Sequence, residues 1–330
     1  MKSWRSWDFR EAVKTMNSLN ETLNALLSFD SLTIITHVRP DGDTLGSAFA
    51  LKYALEKSGK KASVVCASEI SPRYRFLTGG RKYIDGACSG GIVCVDVASP
   101  SMAGERYIEC AQNADVVIDH HSSNPGYGKC NLIDSDAAAC GEIILELAEK
   151  MCSIDSEIAK CLYTAVSTDT GCFVYANTTA ATHLAAAKLI SAGADAAQLN
   201  KLLFRTKSHA AFEIERRAFD SLEYYYDNTV TCMKISLDWI RELNANEDDL
   251  EGISAIPARI EGVKASATFR QTDDNTYKLS VRTNGEVDAA AVCKLFGGGG
   301  HKMAAGCTMT GDYDELKKLM ADKLYEGRAL

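Results

Sequence analysis

Two hydrophobic patterns alternate over residues 1–193. Short apolar runs typical of strands occur at Leu32–Thr36, Ala62–Cys66, Ile92–Val95 and Val116–Ile118. Stretches with helical spacing lie around them, namely Phe9 to Leu27, Thr44–Lys57, Ala137–Met151, Ile158–Val166 and Ala180–Ala192. Strands that alternate with helices predict an α/β domain whose parallel sheet carries helices on both faces.

The pattern changes in the second part of the chain. Residues 194–226 have helical spacing with many charges, which predicts a helical connector. Strands are then predicted at Thr229–Ile235, Ala265–Arg270 and Tyr277–Arg282, and helices at Val287–Phe296 and Tyr313–Tyr325. This mixture predicts a smaller α+β domain with a mixed sheet. Because 330 residues exceed what one core usually organises, we predict parts at 1–193, 194–226 and 227–330.

Composition narrows the class of partner. The net charge of −8 disfavours long duplex nucleic acid, whose binding depends on a basic surface. A short phosphorylated partner stays compatible if metal ions supply local positive charge. No apolar run approaches the ~20 residues that span a bilayer, so no membrane partner is expected. With no secretion signal in view, the twelve cysteines are expected to stay reduced, and the protein is predicted to be cytoplasmic.

Polar clusters follow the predicted strands, where parallel sheets bind ligands. The segment HVRPDGD holds His37, Asp41 and Asp43, and the spacing lets one loop aim two carboxylates at neighbouring metal positions. A capped turn, with Asp43 capping the next helix, is the alternative. Asp96 follows the run IVCV, where a buried acid is costly unless it is paired or metal-bound. A helix cap or a loop hydrogen bond is the alternative there.

Two further clusters complete a candidate metal site. Asp119, His120 and His121 follow the run VVI, and an imidazole can ligate a metal while a neighbouring carboxylate orients it. A solvated loop is the alternative. Asp169, in the segment TDTG, follows an apolar helix and could add a carboxylate.

The four segments supply two histidines and four aspartates as ligands, the inventory for two cations that share one carboxylate. Oxygen and imidazole ligands favour Mn²⁺, with Mg²⁺ or Co²⁺ as alternatives and Zn²⁺ less suited. Such a pair clamps the oxygens of an in-line phosphoryl displacement.

A glycine-rich segment, GGGGHKMAAG, lies in the predicted second domain. The backbone amides of Gly298, Gly299 and Gly300 could approach an anion closely, and His301 adds a donor. Arg270 and Arg282 end two predicted strands and suit phosphate or carboxylate. A flexible loop and surface ion pairs are the alternatives.

Together these motifs resemble the DHH phosphoesterase superfamily. HVRPDGDTLGS, VDVASPSM, DHHSS and STDTG stand in the order of its N-terminal motifs, and GGGGHKMAAG is similar to the signature of its associated C-terminal domain. The two-domain plan looks most like the nanoRNase type, the oligoribonuclease and pAp-phosphatase branch. The resemblance implies hydrolysis of short RNA to mononucleotides and of pAp to AMP.

The resemblance also implies a role for each matching residue. His37, Asp41 and Asp96 would bind one metal, and Asp43, Asp96, His120 and Asp169 the second. His121 would act at the scissile phosphate, with Asp119 supporting the histidines. Arg270, Arg282, Gly298, Gly299, Gly300 and His301 would bind the substrate. One departure concerns the second motif, where an arginine is expected but Ser101 and Met102 stand, with Arg106 a little later.

Other functions stay open. A cyclic- or linear-dinucleotide phosphodiesterase would use the same metals. A processive single-strand exonuclease would carry further nucleic-acid-binding parts, and a pyrophosphatase a different C-terminal domain. From another class, a catalytically silent nucleotide-binding regulator would lack a ligand residue, and none is missing here. The oligomeric state also stays open, with a homodimer among the alternatives.

Overall fold

A computed structural model describes residues 16–327, so Phe9 and Val13 of the predicted first helix lie outside the described residues. The first unit is built on a sheet of order β2-β1-β3-β4-β5 with parallel neighbours throughout. The strands are β1 (Ser31–Ile35), β2 (Lys61–Val65), β3 (Gly91–Val95), β4 (Val116–Asp119) and β5 (Cys130–Ile133). The helices are α1 (Leu19–Leu27), α2 (Gly42–Lys57), α3 (Ile108–Gln112), α4 (Cys140–Met151), α5 (Ser156–Asp169), α6 (Ala180–Ser191) and α7 (Ala196–Phe204).

Neighbouring residues of each strand point to opposite faces of this sheet. Ile34 and Val93 enter the larger core, beneath α2, α4 and α5. Ile35 and Cys94 enter a smaller core with Tyr107, which precedes α3. The predicted α/β fold, with helices on both faces of a parallel sheet, is therefore confirmed.

Close packing of α2 on α5 determines where the polar residues of the site meet. A Cβ added at Gly46 would lie 2.4 Å from the carbonyl oxygen of Cys161, and one at Gly42 would lie 2.4 Å from Thr168 Oγ1. Only glycine permits this approach. As a result, the start of α2 lies against the end of α5.

The second unit has a mixed sheet of order β10-β11-β9-β8-β7-β6, in which only β7 and β8 pair in parallel among the described strands. The strands are β6 (Glu223–Tyr225), β7 (Val230–Ile235), β8 (Ala265–Asp273), β9 (Thr276–Thr283), β10 (Gly299–His301) and β11 (Ala304–Thr310). The helices are α8 (His209–Asp220), α9 (Leu237–Glu242), α10 (Ala289–Lys294) and α11 (Tyr313–Glu326). The predicted α+β character is confirmed.

The chain divides into compact units after Thr206. The predicted connector 194–226 spans this division, with α7 before it and α8 after it, and the three-part boundaries stay a prediction.

The helical spacing was wrong for Glu223–Tyr225, which form β6 against β7. The glycine-rich segment is a hairpin of β10 and β11 rather than a flexible loop. β10 and β11 are rich in small residues and form through pairing with neighbouring strands, which local propensity does not reveal.

The expectation that all cysteines stay reduced was wrong for one pair. Cys88, before β3, and Cys110, in α3, form a disulfide although they lie 22 residues apart. The other cysteines are free, and most are buried. Within residues 16–327, no helix combines the length and apolar character that a bilayer crossing requires.

Candidate functional site

Three neighbouring strands deliver polar side chains to one edge of the parallel sheet. His37 follows β1, Asp96 follows β3, and Asp119 is the last residue of β4. Since β1, β3 and β4 are adjacent and parallel, their carboxyl ends lie side by side. The sheet therefore brings together residues that are far apart in the sequence.

The HVRPDGD loop places its two aspartates by different means. Asp41 caps α2, with Oδ1 accepting from the backbone N–H groups of Asp43 and Thr44 at 3.0 Å each. The alternative that Asp43 caps this helix was therefore wrong. Asp43 lies buried in the first turn of α2 and accepts from the N–H groups of Cys140 at 2.7 Å and Gly141 at 3.0 Å. It therefore meets the N-terminus of α4 as well, which favours negative charge.

His120 is the centre of the cluster. Its Nε2 lies 3.7 Å from Asp43 Oδ2, 3.7 Å from Asp96 Oδ1 and 3.6 Å from Asp169 Oδ2. These separations are too long for hydrogen bonds. Its Nδ1 lies 3.2 Å from the carbonyl oxygen of Ala137. If Nδ1 donates there, the Nε2 lone pair faces three carboxylates, an arrangement that a cation between them would stabilise.

His37 repeats this arrangement at the other side of Asp96. Its Nδ1 lies 2.9 Å from the carbonyl oxygen of Val38, and its Nε2 lies 3.7 Å from Asp41 Oδ1 and 3.6 Å from Asp96 Oδ2. Burial by itself would lower the pKa of His37, but Asp41 and Asp96 raise it to about 11. Without a metal, the imidazole therefore binds a proton in the place where a cation fits.

Asp96 joins the two halves of the cluster. Its side chain is buried, its backbone has a left-handed φ of 58°, and Oδ1 has no hydrogen-bond partner among the described residues. A buried carboxylate without donors is costly unless a cation compensates it. This unpaired atom and the surrounding oxygen and imidazole ligands fit divalent cations.

The remaining carboxylates are crowded. Burial first, and then the charges of Asp96 and Asp169, raise the pKa of Asp43. Burial also raises the pKa of Asp169 to about 6, with His120 opposing the shift. Three sets of side chains in this cluster could each hold a metal ion: Asp96 with His120 and His121, His37 with Asp41 and Asp96, and Asp43 with His120 and Asp169.

Asp119 belongs to none of these three sets and orients His121. Its Oδ1 lies 2.8 Å from His121 Nδ1, and its Oδ2 accepts from Asn124 Nδ2 at 2.6 Å. Burial would raise the pKa of Asp119, but the hydrogen bonds from His121 and Asn124 lower it. The hydrogen bond between Asp119 and His121 also raises the pKa of His121. His121 is thus held by a carboxylate at Nδ1, while its side chain stays 41% exposed.

Two asparagines that were not predicted from the sequence support the cluster. Asn124 is buried and bonds Asp119, and its only signal was its place three residues after the Asp-His-His motif. Asn177 Nδ2 donates to the carbonyl oxygens of Ala138 at 2.9 Å and Asp169 at 3.1 Å. Nothing in the local pattern indicated this residue, because its partners are distant in sequence or belong to a helix end.

The arginine expected in the second motif is not replaced by Arg106. Its Nη1 binds Asp85 Oδ2 at 3.0 Å on the surface. The carbonyl oxygen of Met102 instead accepts from the N–H of Val38 at 2.7 Å, which ties the second motif to the first. Arg39 follows Val38, with an exposed side chain and a left-handed φ of 54°.

The predicted substrate residues of the second unit fall into two groups. Arg282 pairs with Ala304 across the sheet, and Ala304 pairs with His301, so these three form one row. Arg270 lies four residues along β8 from Ser266, the partner of Arg282, and thus roughly 13 Å away. The structure therefore brings Arg282 and His301 together but not Arg270.

Arg270 already has a carboxylate partner. Its Nη1 donates to Glu247 Oε2 at 2.7 Å, and its Nη2 donates to the other oxygen of the same carboxylate. Its buried Nε has no partner among the described residues. Arg282 Nη1 instead donates to the carbonyl oxygen of Val281 at 3.0 Å. The alternative of an ion pair therefore applies to Arg270, while Arg282 stays near the hairpin.

The glycines of the hairpin differ in what they do. A Cβ at Gly298 would lie 2.2 Å from the carbonyl oxygen of Gly306, and one at Gly300 would lie 2.6 Å from that of Ala304. These two glycines allow close strand packing. At Gly299 a Cβ would meet nothing within 4 Å. The backbone there is open to an anion.

Comparison with known proteins places both halves of the chain. Residues 31–166 match the family described as "DHH family, N-terminal domain", and residues 227–326 match the "DHHA1 domain". The chain is 31% identical to the bifunctional oligoribonuclease and PAP phosphatase NrnA of Thermus thermophilus, over 89% of each chain. It is 26% identical to the probable protein of the same name from Streptococcus mutans, over 92% of this chain and 100% of that one.

One solved structure has a similar fold. The exopolyphosphatase-related protein from Bacteroides fragilis superposes with a TM-score of 0.82 at 21% identity, over 94% of this chain and 96% of that one. At this identity the likeness concerns the fold alone.

Proposed function

This chain belongs to the DHH phosphoesterase superfamily, in its nanoRNase branch, and is a metal-dependent hydrolase, and from that premise we propose that it hydrolyses short oligoribonucleotides to mononucleotides and pAp to AMP. The names of its relatives from Thermus thermophilus and Streptococcus mutans support this choice of substrates. The observation that carries the proposal is the buried Asp96 carboxylate, which is flanked by His37 and His120 and whose Oδ1 has no hydrogen-bond partner among residues 16–327.

Divalent cations are the cofactor of this site, and we assign two of them to it. His37, Asp41 and Asp96 would hold one, and Asp43, Asp96, His120 and Asp169 the other. The absence of thiolates from this set favours Mn²⁺ over Zn²⁺, with Mg²⁺ and Co²⁺ as alternatives. When bound, the cations would place positive charge next to the phosphate. They would also lower the pKa of a bound water to near neutrality.

The side chains around the cations have distinct tasks in this proposal. His121, held at Nδ1 by Asp119, presents its other ring nitrogen as a proton donor to the leaving oxygen. The hydrogen bond to Asp119 raises the pKa of His121, which favours the protonated imidazole. Arg282, His301 and the hairpin amides bind the far phosphate or sugar of the substrate. Arg270 would join them only by giving up Glu247.

We also propose a cytoplasmic location for the protein, because short RNA fragments arise there. A homodimer stays one alternative for the assembly. The net charge of −8 supports a short substrate rather than a long one.

Product analysis on a substrate panel tests the function. The full chain with Mn²⁺ is incubated with pAp, the dinucleotide pApA and cyclic di-AMP. We expect AMP from the first two and little turnover of the third. Preferred turnover of cyclic di-AMP would identify a cyclic-dinucleotide phosphodiesterase, and metal and nucleotide binding without any product would identify a silent regulator.

Asp43→Ala tests whether this cluster is responsible. We expect turnover to fall about a thousandfold, because the variant removes a carboxylate that would hold one of the two cations. Asp30→Ala, at an exposed aspartate of the same unit, should behave like the wild type. Circular dichroism verifies that both variants fold. Native turnover by Asp43→Ala would contradict the assignment.

A further inference from the structure

An unusual turn follows α5 and the candidate ligand Asp169. Gly171, Cys172 and Phe173 have consecutive left-handed φ values of 56°, 59° and 66°. For residues other than glycine this conformation is unfavourable, and it persists only where surrounding interactions impose it. Here the N–H groups of Val174 and Tyr175 both donate to the carbonyl oxygen of Thr170, at 2.9 and 3.0 Å.

The turn directs its apolar side chains in opposite directions. Phe173 points inward and stacks on His183 with 5.4 Å between the ring centroids. Val174 and Tyr175 point outward, with 79% and 60% of their surfaces exposed. Large apolar side chains held in the solvent by an ordered turn contribute little to the core, and such exposure is typical of a binding surface.

The Tyr175 ring is backed on one side and open on the other. It lies against Gly171, where a Cβ would come 2.4 Å from its Cζ. Among residues 16–327 no aromatic or cationic contact of this ring is found. Two other exposed tyrosines differ, since the ring of Tyr325 stacks on Tyr226 at 4.0 Å and Tyr83 has Lys82 over its ring at 5.5 Å.

Hydrogen bonds fix this turn relative to the candidate metal ligands. Asn177, two residues after Tyr175, donates to the carbonyl oxygens of Asp169 and Ala138. The neighbouring carbonyl oxygen of Ala137 lies 3.2 Å from His120 Nδ1. Gly171, which supports the ring, is only two residues from Asp169, so their Cα atoms lie within roughly 8 Å. A nucleotide whose phosphate lies at the cluster can therefore extend its base to Tyr175.

We infer that Tyr175 is the stacking platform for the base of the nucleotide whose phosphate is cleaved, an inference that rests on the proposed function. Every base has an aromatic face, so stacking holds a base in place without selecting its identity. An enzyme that degrades short RNA of any sequence needs this kind of contact. Tyr175 is therefore a residue for base binding, separate from the metal ligands.

The test compares two substrates that differ only in the base. The full chain with Mn²⁺ is assayed on pAp and on ribose 3′,5′-bisphosphate, which has the same phosphates and sugar. For Tyr175→Ala we expect KM for pAp to rise roughly 5- to 150-fold, the range of a lost stacking contact. KM for ribose 3′,5′-bisphosphate should stay at the wild-type value.

Two further variants sharpen the result. Tyr175→Phe keeps the ring and should restore KM for pAp, whereas a Phe variant as weak as Ala would overturn stacking in favour of a hydroxyl contact. Tyr83→Ala, at a matched exposed tyrosine of the same unit, should change neither substrate. Equal effects of Tyr175→Ala on both substrates, or no effect on either, would also overturn the inference.

Failure of the proposed function gives a different result. In that case the wild-type chain itself turns over neither pAp nor pApA, and the inference fails with it. If the wild type cleaves pAp but Tyr175→Ala is indistinguishable from it, the function stands and only the platform is wrong.

Discussion

At the scale of single residues, Asp96 combines a cost to the fold with a role in the site. Its φ of 58° is unfavourable for an aspartate, and within the described part of the chain no donor reaches its buried Oδ1. The same carboxylate lies between His37 and His120, each less than 4 Å away. It is the one side chain shared by both proposed cation positions, so its loss should affect both.

Metal stoichiometry tests this shared role. We expect Asp96→Asn to bind neither ion tightly, because both proposed sets lose a carboxylate, while Asn still tolerates the left-handed backbone. Asp169→Ala should lose one ion and keep the other. Isothermal titration with Mn²⁺ gives the stoichiometry, and Asp30→Ala should retain both sites. Two tight sites in Asp96→Asn would refute a bridging role.

The effect of the metal should also depend on pH. Without metal, the folded state holds protons more tightly than the unfolded chain, because the pKa of Asp169 is raised to about 6 and that of His37 to about 11. Stability from these groups is therefore present at low pH and is lost as the pH rises above roughly 4 for Asp169 and 6.5 for His37. Metal binding requires the same protons to leave.

We therefore expect the gain in Tm on adding Mn²⁺ to increase between pH 5 and pH 8. Thermal unfolding with Mn²⁺ and with a chelator, at each pH, measures this difference. The chelated sample provides the control for all other titrating groups. A gain that is constant, or largest at pH 5, would show that protons do not compete with the metal at this cluster.

At the scale of elements, the contact between α2 and α5 positions the carboxylates of the site. Asp43 belongs to the first turn of α2, and Asp169 ends α5. Gly46 allows these helices to approach so closely that a Cβ at residue 46 would lie 2.4 Å from the carbonyl oxygen of Cys161. The distance between the carboxylates of Asp43 and Asp169 therefore depends on Gly46, which lies about one helical turn after Asp43 in α2.

Gly46→Ala should separate the two helices. A Cβ 2.4 Å from the Cys161 oxygen forces backbone movement, which we expect to cost about 1–3 kcal/mol of unfolding free energy and to weaken Mn²⁺ binding. Gly86→Ala is the matched control, because its Cβ would meet Val65 at an ordinary 3.5 Å. Urea unfolding and metal titration report the two effects. A Gly46→Ala protein with native stability would contradict close contact between α2 and α5 at this residue.

At the scale of the whole molecule, charge limits the length of the substrate. The chain carries a net charge of −8. Each substrate phosphate that is not bound by a cation or an arginine therefore adds electrostatic repulsion. Affinity for long RNA normally requires a basic surface. The composition of the entire chain therefore supports the same conclusion as its local motifs.

We expect kcat/KM to fall with length, by at least about tenfold between a dinucleotide and a 20-mer. Measuring initial rates for RNA of 2, 3, 5 and 20 nucleotides at fixed Mn²⁺ tests this. Raising the ionic strength should relieve the repulsion and reduce the difference. A 20-mer degraded as fast as the dinucleotide would contradict a short-substrate enzyme.

Much of the fold followed from the local pattern. Strands β1 to β4 of the parallel sheet were predicted to within a residue, because buried parallel strands form continuous apolar runs. β5, β6, β10 and β11 were missed, and the small residues of Gly299–His301 in β10 show why, since they acquire strand structure only through pairing. The separation of Arg270 from Arg282 was equally invisible, because it depends on strand register.

The amino-acid sequence by itself determined which chemical groups are present, their order in four motifs, and the alternation that makes the first sheet parallel. Chemical type and local spacing are properties of the chain before it folds. Only the tertiary structure decided that Asp96 lies buried between two imidazoles, that Glu247 binds Arg270, and that the Tyr175 ring faces outward. These facts depend on distances between segments far apart in sequence, and packing alone sets such distances.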